Sequence, residues 1–323
     1  MTLPAFCDDA LEPDALDRAL RNCGGFFVHL SGAAANLRAG MLAASHAFFA
    51  LPDGAKRSLA IERSPHFRGW SQMRNERDWR EQLHLGRDRP AAGDDPYFLR
   101  LEGPNLWPDD AAWHDVVAGY TDAAARLGDV ILDRLAHALG VDAGCFARAG
   151  SDGYLVAKLI GYHPQPSRRE LRDGVAAHVD FSWVTINLQD SAGLEVRRPD
   201  GVWTPVDVRP GAVWVHAGEL LEHATRGRYA ATPHRVVNPS TRHTRVSVPV
   251  FVNPPLDAVV PVFAGLEPQP PAAPPAPPCE HVHRVLAPRA RRAPFHFGRA
   301  EWRRKGEGGW CFSCCSDRLE KRA

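Results

Sequence analysis

The chain has 323 residues, 44% hydrophobic and 24% charged, a globular composition long enough for one large domain or two smaller ones. Its formal net charge of +1 excludes a concentrated basic field over the whole molecule, so no nucleic-acid partner is expected. The first twenty residues carry acids and prolines where a secretory signal needs a basic start and an apolar run, and no later stretch is apolar for long enough to span a bilayer, so the expectation is a cytoplasmic protein without membrane contact.

In chain order, the region 1–150 reads as mainly helical around one early strand, GFFVHL at Gly25 to Leu30. Leu37, Met41, Leu42, Ala44, Phe48 and Phe49 recur at helical spacing, which predicts a helix over 37–51 that Pro52 stops. A longer stripe of Val116, Val117, Tyr120, Ala124, Leu127, Val130, Ile131, Leu135 and Leu139 predicts a second helix over 113–139, ended by Gly140.

From Leu155 the pattern changes to short β-branched and apolar runs separated by Gly, Pro and Asp. Strands are predicted at 155–162, 176–180, 184–189, 193–197, 202–206, 212–216, 233–238 and 244–252, with a hairpin turn at Asp200-Gly201. The fold class that follows is α+β with a mainly β core: a double-stranded β-helix, or jelly roll, over 151–267, with N-terminal helices packed on one sheet. PQPPAAPPAPP at 268–278 can form neither helix nor central strand and reads as a stiff linker. The stretch 279–323 is expected to be a basic, Cys-containing C-terminal helix and tail, with 11 Lys/Arg against 5 Asp/Glu.

His178-Val179-Asp180 sets an imidazole and a carboxylate two residues apart, on one face if the chain is extended. His234, at the start of a later strand, is the candidate third ligand. Two histidines and a carboxylate leave positions open on the ion, the arrangement suited to Fe(II) and oxygen chemistry. The 15 histidines offer many accidental triads, so the pattern draws its force from context. In TRVSVPVF, Val246, Val248 and Val250 share one strand face while Arg245, Ser247, Pro249 and Phe251 share the other. A planar guanidinium beside a hydroxyl is a receptor for a carboxylate, although an R-x-S pair is also ordinary on a surface strand.

These phrases, with LIGYHPQP, AAHVD, LQDSAGLEV, RPGAVWVHAGELLEHATRGRY, TPHRVVNPS and RVSVPVFVNPP, resemble the isopenicillin N synthase-like family of Fe(II)/2-oxoglutarate-dependent dioxygenases. Upstream, CGGFFVHLSG, FFALP, FRGW, DWREQLHLG and GPNLWP fall where that family has similar phrases, so the resemblance covers most of residues 20 to 265. It implies Fe(II) held by His178, Asp180 and His234, and 2-oxoglutarate as co-substrate with its distal carboxylate on Arg245 and Ser247. Tyr162 stands where the family has a carboxylate-binding tyrosine, and core filling is its other reading. O2 is then the oxidant and the partner a small-molecule metabolite. The alternatives are an oxidase like isopenicillin N synthase that dispenses with 2-oxoglutarate, and a non-catalytic binding protein on the same fold.

Substrate contacts are expected around Phe67, Arg68, Gly69 and Trp70 and near Phe181 and Trp183. Lys158 either adds charge to the pocket or snorkels outward. His216, Glu219 and His223 are expected in structural or surface roles. In the tail, Cys311, Cys314 and Cys315 have spacing that can chelate zinc, with Cys279, His281 and His283 as further donors, but free thiols are the default expectation.

Overall fold

The computed structural model describes residues 2–74, 78–93, 96–146, 152–164, 173–237, 242–267 and 293–306. In chain order its elements are β1 (Ala5–Cys7), α1 (Pro13–Cys23), β2 (Gly25–His29), α2 (Gly32–Phe49), α3 (Asp53–Arg57), β3 (Gly69–Arg74), β4 (Trp79–Gly86) and α4 (Ala111–Leu139). There follow β5 (Val156–Tyr162), β6 (Asp173–His178), β7 (Val184–Gln189), β8 (Leu194–Arg197), β9 (Trp203–Pro205), β10 (Ala212–Ala217), α5 (Glu219–Ala224), β11 (His234–Val237), β12 (Arg245–Val252), β13 (Val259–Val260), β14 (Phe295–His296) and α6 (Phe297–Gly306). The proline-rich stretch 268–278 and the candidate zinc donors of the tail lie outside the described residues. Among the described residues no helix is long and apolar enough to cross a membrane.

Eight strands form the major sheet in the order β1-β2-β10-β7-β12-β5-β4-β3, and four form the minor sheet, β6-β11-β8-β9. All the strands predicted after residue 155 are present. The N-terminal region departs from its mainly helical reading, because β1, β2, β3 and β4 all belong to the major sheet. The sheet therefore runs across residue 150. At Asp200-Gly201 the hairpin forms by a different turn: Gly201 N–H donates to the Arg198 carbonyl and only Gly201 has positive φ, at 86°. A turn with a single left-handed glycine closes a wider hairpin than the two-residue form.

The chain builds two cores. Behind the major sheet, α2 and α4 pack on the face carrying Val246, Val248, Val250 and Val252, each with no exposed surface, at about 1.5–3 kcal/mol of burial per side chain. Asp110 caps α4 by accepting from Trp113 N–H, and Gly140 ends it at φ 66°. Within α4, Gly128 lets the helix approach β12, since a Cβ there would lie 2.6 Å from a Val252 methyl. A smaller core with Ile160, Leu194, Val196, Trp214 and Val236 fills the space between the two sheets.

Strand β4 turns Arg80, Gln82 and His84 to one face and Leu83 and Leu85 to the other, where one charged residue, Glu81, is buried among them. Glu81 points to the helical side, fully buried, where Lys56 Nζ on α3 donates at 2.9 Å and Trp70 Nε1 at 2.6 Å. Burial alone would raise this carboxyl, but hydrogen bonds from His163, Lys56 and Trp70 outweigh it and hold Glu81 below the usual carboxylate range. Breaking the pair leaves a buried charge, so Lys56→Met should cost about 3–5 kcal/mol in urea unfolding, and a Lys56→Met/Glu81→Leu double variant should recover most of it. Because the folded pKa is lowered, this stabilisation is full above the ordinary carboxylate range and is lost as pH falls through the folded value. Wild-type stability should drop there more steeply than that of the double variant.

Candidate active site

The site lies between the sheets. His178 ends β6 and His234 begins β11, and the antiparallel register of those strands makes the two residues direct cross-strand partners. Their rings stand 4.1 Å apart between centroids. Asp180 follows β6 by two residues, outside the strand predicted to hold it, yet its carboxylate reaches both histidines. Oδ1 is 3.6 Å from His178 Nε2 and 3.7 Å from His234 Nε2. One donor atom from each of the three residues lies within 4.8 Å of the others, a spacing that can hold a metal ion.

Backbone carbonyls set which nitrogen of each imidazole faces the centre. His178 Nδ1 donates to the Ala176 carbonyl at 2.9 Å, and His234 Nδ1 to the Thr232 carbonyl at 3.1 Å. Each bond places the proton on Nδ1 and leaves the Nε2 lone pair toward Asp180, the disposition that metal-ligating histidines use. Burial, then the neighbouring His178, pushes His234 down to about 3, so its ring is neutral at physiological pH. Burial would raise Asp180, but His234, His216 and His178 outweigh it and keep the carboxylate ionised.

The same pocket is lined on the major sheet by Arg245, Ser247, Pro249 and Phe251 of β12 and by Tyr162, Ile160 and Lys158 of β5. The face division read from TRVSVPVF is thus present. Arg245 is 1% exposed and rigidly held: Nη2 donates to Gln189 Oε1 at 2.7 Å, and Nε to the Ser191 and Ala192 carbonyls at 3.2 and 3.1 Å. Its Nη1 is buried without a hydrogen-bond partner. The guanidinium lies 4.9 Å over the Tyr162 ring, and Ser247 is adjacent on the same face. Lys158 is buried in the pocket wall, 4.9 Å over the Phe251 ring, and does not snorkel outward.

The expected substrate contacts are not in this pocket. Arg68 is buried elsewhere, donating to the His66 and Leu101 carbonyls, while Trp70 is held by Glu81. Phe181 stacks on Phe297 at 5.8 Å, and Trp183 packs edge-on against Phe146. These aromatics follow Asp180 in sequence but turn into the helical core. Residues missed are Arg80 of β4 and Asn187 of β7, which line the pocket. His216 was read as structural or surface; it is 2% exposed, and its Nε2 lies 2.9 Å from Asp180 Oδ2. The neighbouring His223 is buried against Phe295, away from the triad.

Residues 6–110 match the family described as the non-haem dioxygenase in morphine synthesis N-terminal region, and residues 151–254 match the 2OG-Fe(II) oxygenase superfamily. The chain is similar to 2-oxoglutarate-dependent dioxygenase frbJ of Dothideomycetidae sp. (strain 11243), 31% identical over 77% of this chain and 70% of that protein. It is also 31% identical to homoarginine-6-hydroxylase 2-ODD-233 of Oryza sativa subsp. japonica, over 76% of this chain and 78% of that one. Its fold matches the crystal structure of dioxygenase for auxin oxidation in rice, with a TM-score of 0.69 at 24% identity, covering 96% of this chain and 97% of that one.

The geometry predicts one divalent-metal site. Anaerobic calorimetry with Mn(II) should find one equivalent bound to the wild-type chain and none at the same concentrations in Asp180→Ala; retention of full affinity in that variant would place the metal elsewhere.

Proposed function

The chain belongs to the isopenicillin N synthase-like Fe(II)/2-oxoglutarate-dependent dioxygenases, and on that premise we propose that His178, Asp180 and His234 hold its iron while Arg245, Ser247 and Tyr162 receive the distal carboxylate of 2-oxoglutarate. It is an enzyme that oxidises a small molecule, using Fe(II), 2-oxoglutarate and O2 and releasing succinate and CO2. Similarity to 2-oxoglutarate-dependent dioxygenases supports this reading over an oxidase that dispenses with 2-oxoglutarate and over a non-catalytic binding protein.

The observation that carries the residue assignment is the unsatisfied Nη1 of Arg245 in the pocket that also contains the triad. A buried guanidinium N–H without a partner is costly, and a carboxylate arriving there removes the cost while making a charge-assisted bond. Gln189 and two backbone carbonyls already fix the rest of the fork, so only the free corner is offered to a ligand.

Bound Fe(II) and 2-oxoglutarate supply the oxidising power, activating O2 as 2-oxoglutarate is decarboxylated, for hydroxylation or desaturation of the substrate. The chain's own residues bind, orient and exclude water. The Nδ1 bonds to Ala176 and Thr232 orient the two imidazoles, and ionised Asp180 supplies the one negative charge among the three donors. Tyr162 and Ser247 flank Arg245 on the adjoining strand face and the next residue pair of the sheet. All three triad members are buried, so the reacting groups are held out of bulk water. A cytoplasmic setting is proposed because ferrous iron and the thiols of Cys7, Cys23 and Cys145, none in a disulfide, suit a reducing compartment.

Arg245→Met should raise the apparent KM for 2-oxoglutarate about 30-fold or more, the equivalent of about 2 kcal/mol for losing one partner of a buried charge pair, with a smaller effect on kcat. Succinate formed per unit time reads it. An unchanged KM would remove Arg245 from the 2-oxoglutarate site.

A further inference from the structure

The two oxygens of Asp180 have different surroundings. Oδ1 faces both histidine Nε2 atoms, whereas Oδ2 is met at 2.7 Å by Thr185 Oγ1 and at 2.9 Å by His216 Nε2. These two donors come from neighbouring strands at the same level, since His216 of β10 and Thr185 of β7 are cross-strand partners. Thr185 has one hydroxyl proton. Giving it to the carboxylate makes Thr185 the acceptor from Ser182 Oγ at 3.1 Å, so a relay of two hydroxyls ends on Oδ2.

His216 can meet an ionised carboxylate oxygen at this distance only as an N–H donor, which puts a proton on Nε2. Its Nδ1 is buried and has no hydrogen-bond partner. If the side chain served only to fill space, an apolar ring would do so without stranding a polar atom. Among the described residues, the bond to Asp180 is the one polar contact that accounts for an imidazole here.

We infer that His216 is a positioning residue of the iron centre, an inference that rests on Asp180 being a metal ligand. Together with Thr185 it occupies Oδ2, so that Asp180 presents Oδ1 alone to the metal and does not rotate into a two-oxygen chelate. The consequence is functional. A one-oxygen carboxylate leaves room on the ion for a chelating co-substrate and for O2, whereas a two-oxygen carboxylate would take one of those positions. The strands supply the rigidity, because both donors sit on the major sheet and the carboxylate stands two residues past the end of a minor-sheet strand.

The test is anaerobic titration of the apo-protein with Co(II), reading affinity by calorimetry and coordination by the intensity of the visible d–d bands. Three chains are compared: wild type, His216→Phe, which removes the donor, and His216→Gln, whose amide can still donate. The expected result for His216→Phe is an affinity lower by about 10- to 100-fold and an altered band intensity, with the melting temperature of the apo-protein within a few degrees of wild type. His216→Gln should recover most of both. If His216→Phe does not fold, Thr185→Val removes the other donor with little change of shape and should show the same loss. An unchanged affinity and spectrum in the donor-less variant, or a Gln variant as impaired as the Phe variant at matched melting temperature, overturns the inference. Equal Co(II) binding by wild type and Asp180→Ala would instead overturn the ligand assignment beneath it.

Discussion

A buried carboxylate surrounded by three imidazoles is the constraint on which the rest of the site depends. Asp180 is 5% exposed, and burial by itself would favour its neutral form. It is held below the usual carboxylate range as hydrogen bonds from Thr185 and His216 converge on Oδ2, although two imidazole lone pairs face Oδ1. That arrangement is electrostatically incomplete: two lone pairs and an anionic oxygen point at one space, and a dication there completes it. The fold's contribution is to bring those atoms together from three separate stretches of chain. Antiparallel pairing of β6 with β11 sets His178 against His234, and pairing of β7 with β10 sets Thr185 against His216.

The two cores divide the labour. The helical core behind the major sheet is apolar and fixes the sheet, through the valines of β12 and the close passage of α4 at Gly128. The inner face of the same sheet is then free to carry Arg245, Ser247, Tyr162, Lys158 and Arg80 at low exposure. Polar residues buried at that density are tolerated only when they are held by one another or by a ligand. Arg245 shows both conditions in one side chain, with three donor contacts made to the protein and one nitrogen left over.

Much of this was legible in the sequence, for identifiable reasons. The strands after residue 155 alternate cleanly or run apolar between turn residues, so their periodicity is plain. The spacing in HVD and the alternation in RVSVPVF each put chemistry on one face of an extended chain, and the structure gathers those residues into one pocket. Strand β4 escaped because its polar residues mask an alternation: Arg80, Gln82 and His84 turn into the roll, while Leu83 and Leu85 join the helical core beside Glu81, a charge satisfied there by Lys56 and Trp70. Helix α1 did offer a signal, with Leu16, Ala19, Leu20 and Cys23 at helical spacing behind Pro13. His216 was not legible at all. Its role arises from register between β10 and β7, a long-range pairing that leaves no local pattern. Phe181 and Trp183 are close to Asp180 in sequence, but their placement in the helical core is likewise set by long-range packing.

The central claim is that the triad and Arg245 form one site, able to hold Fe(II) and 2-oxoglutarate together. Its most direct measurement is anaerobic titration of the Fe(II)-loaded chain with 2-oxoglutarate, followed by visible absorption. The account predicts a weak metal-to-ligand charge-transfer band that saturates at one equivalent of 2-oxoglutarate. Absence of that band at saturating 2-oxoglutarate, with Fe(II) shown to be bound, would contradict it.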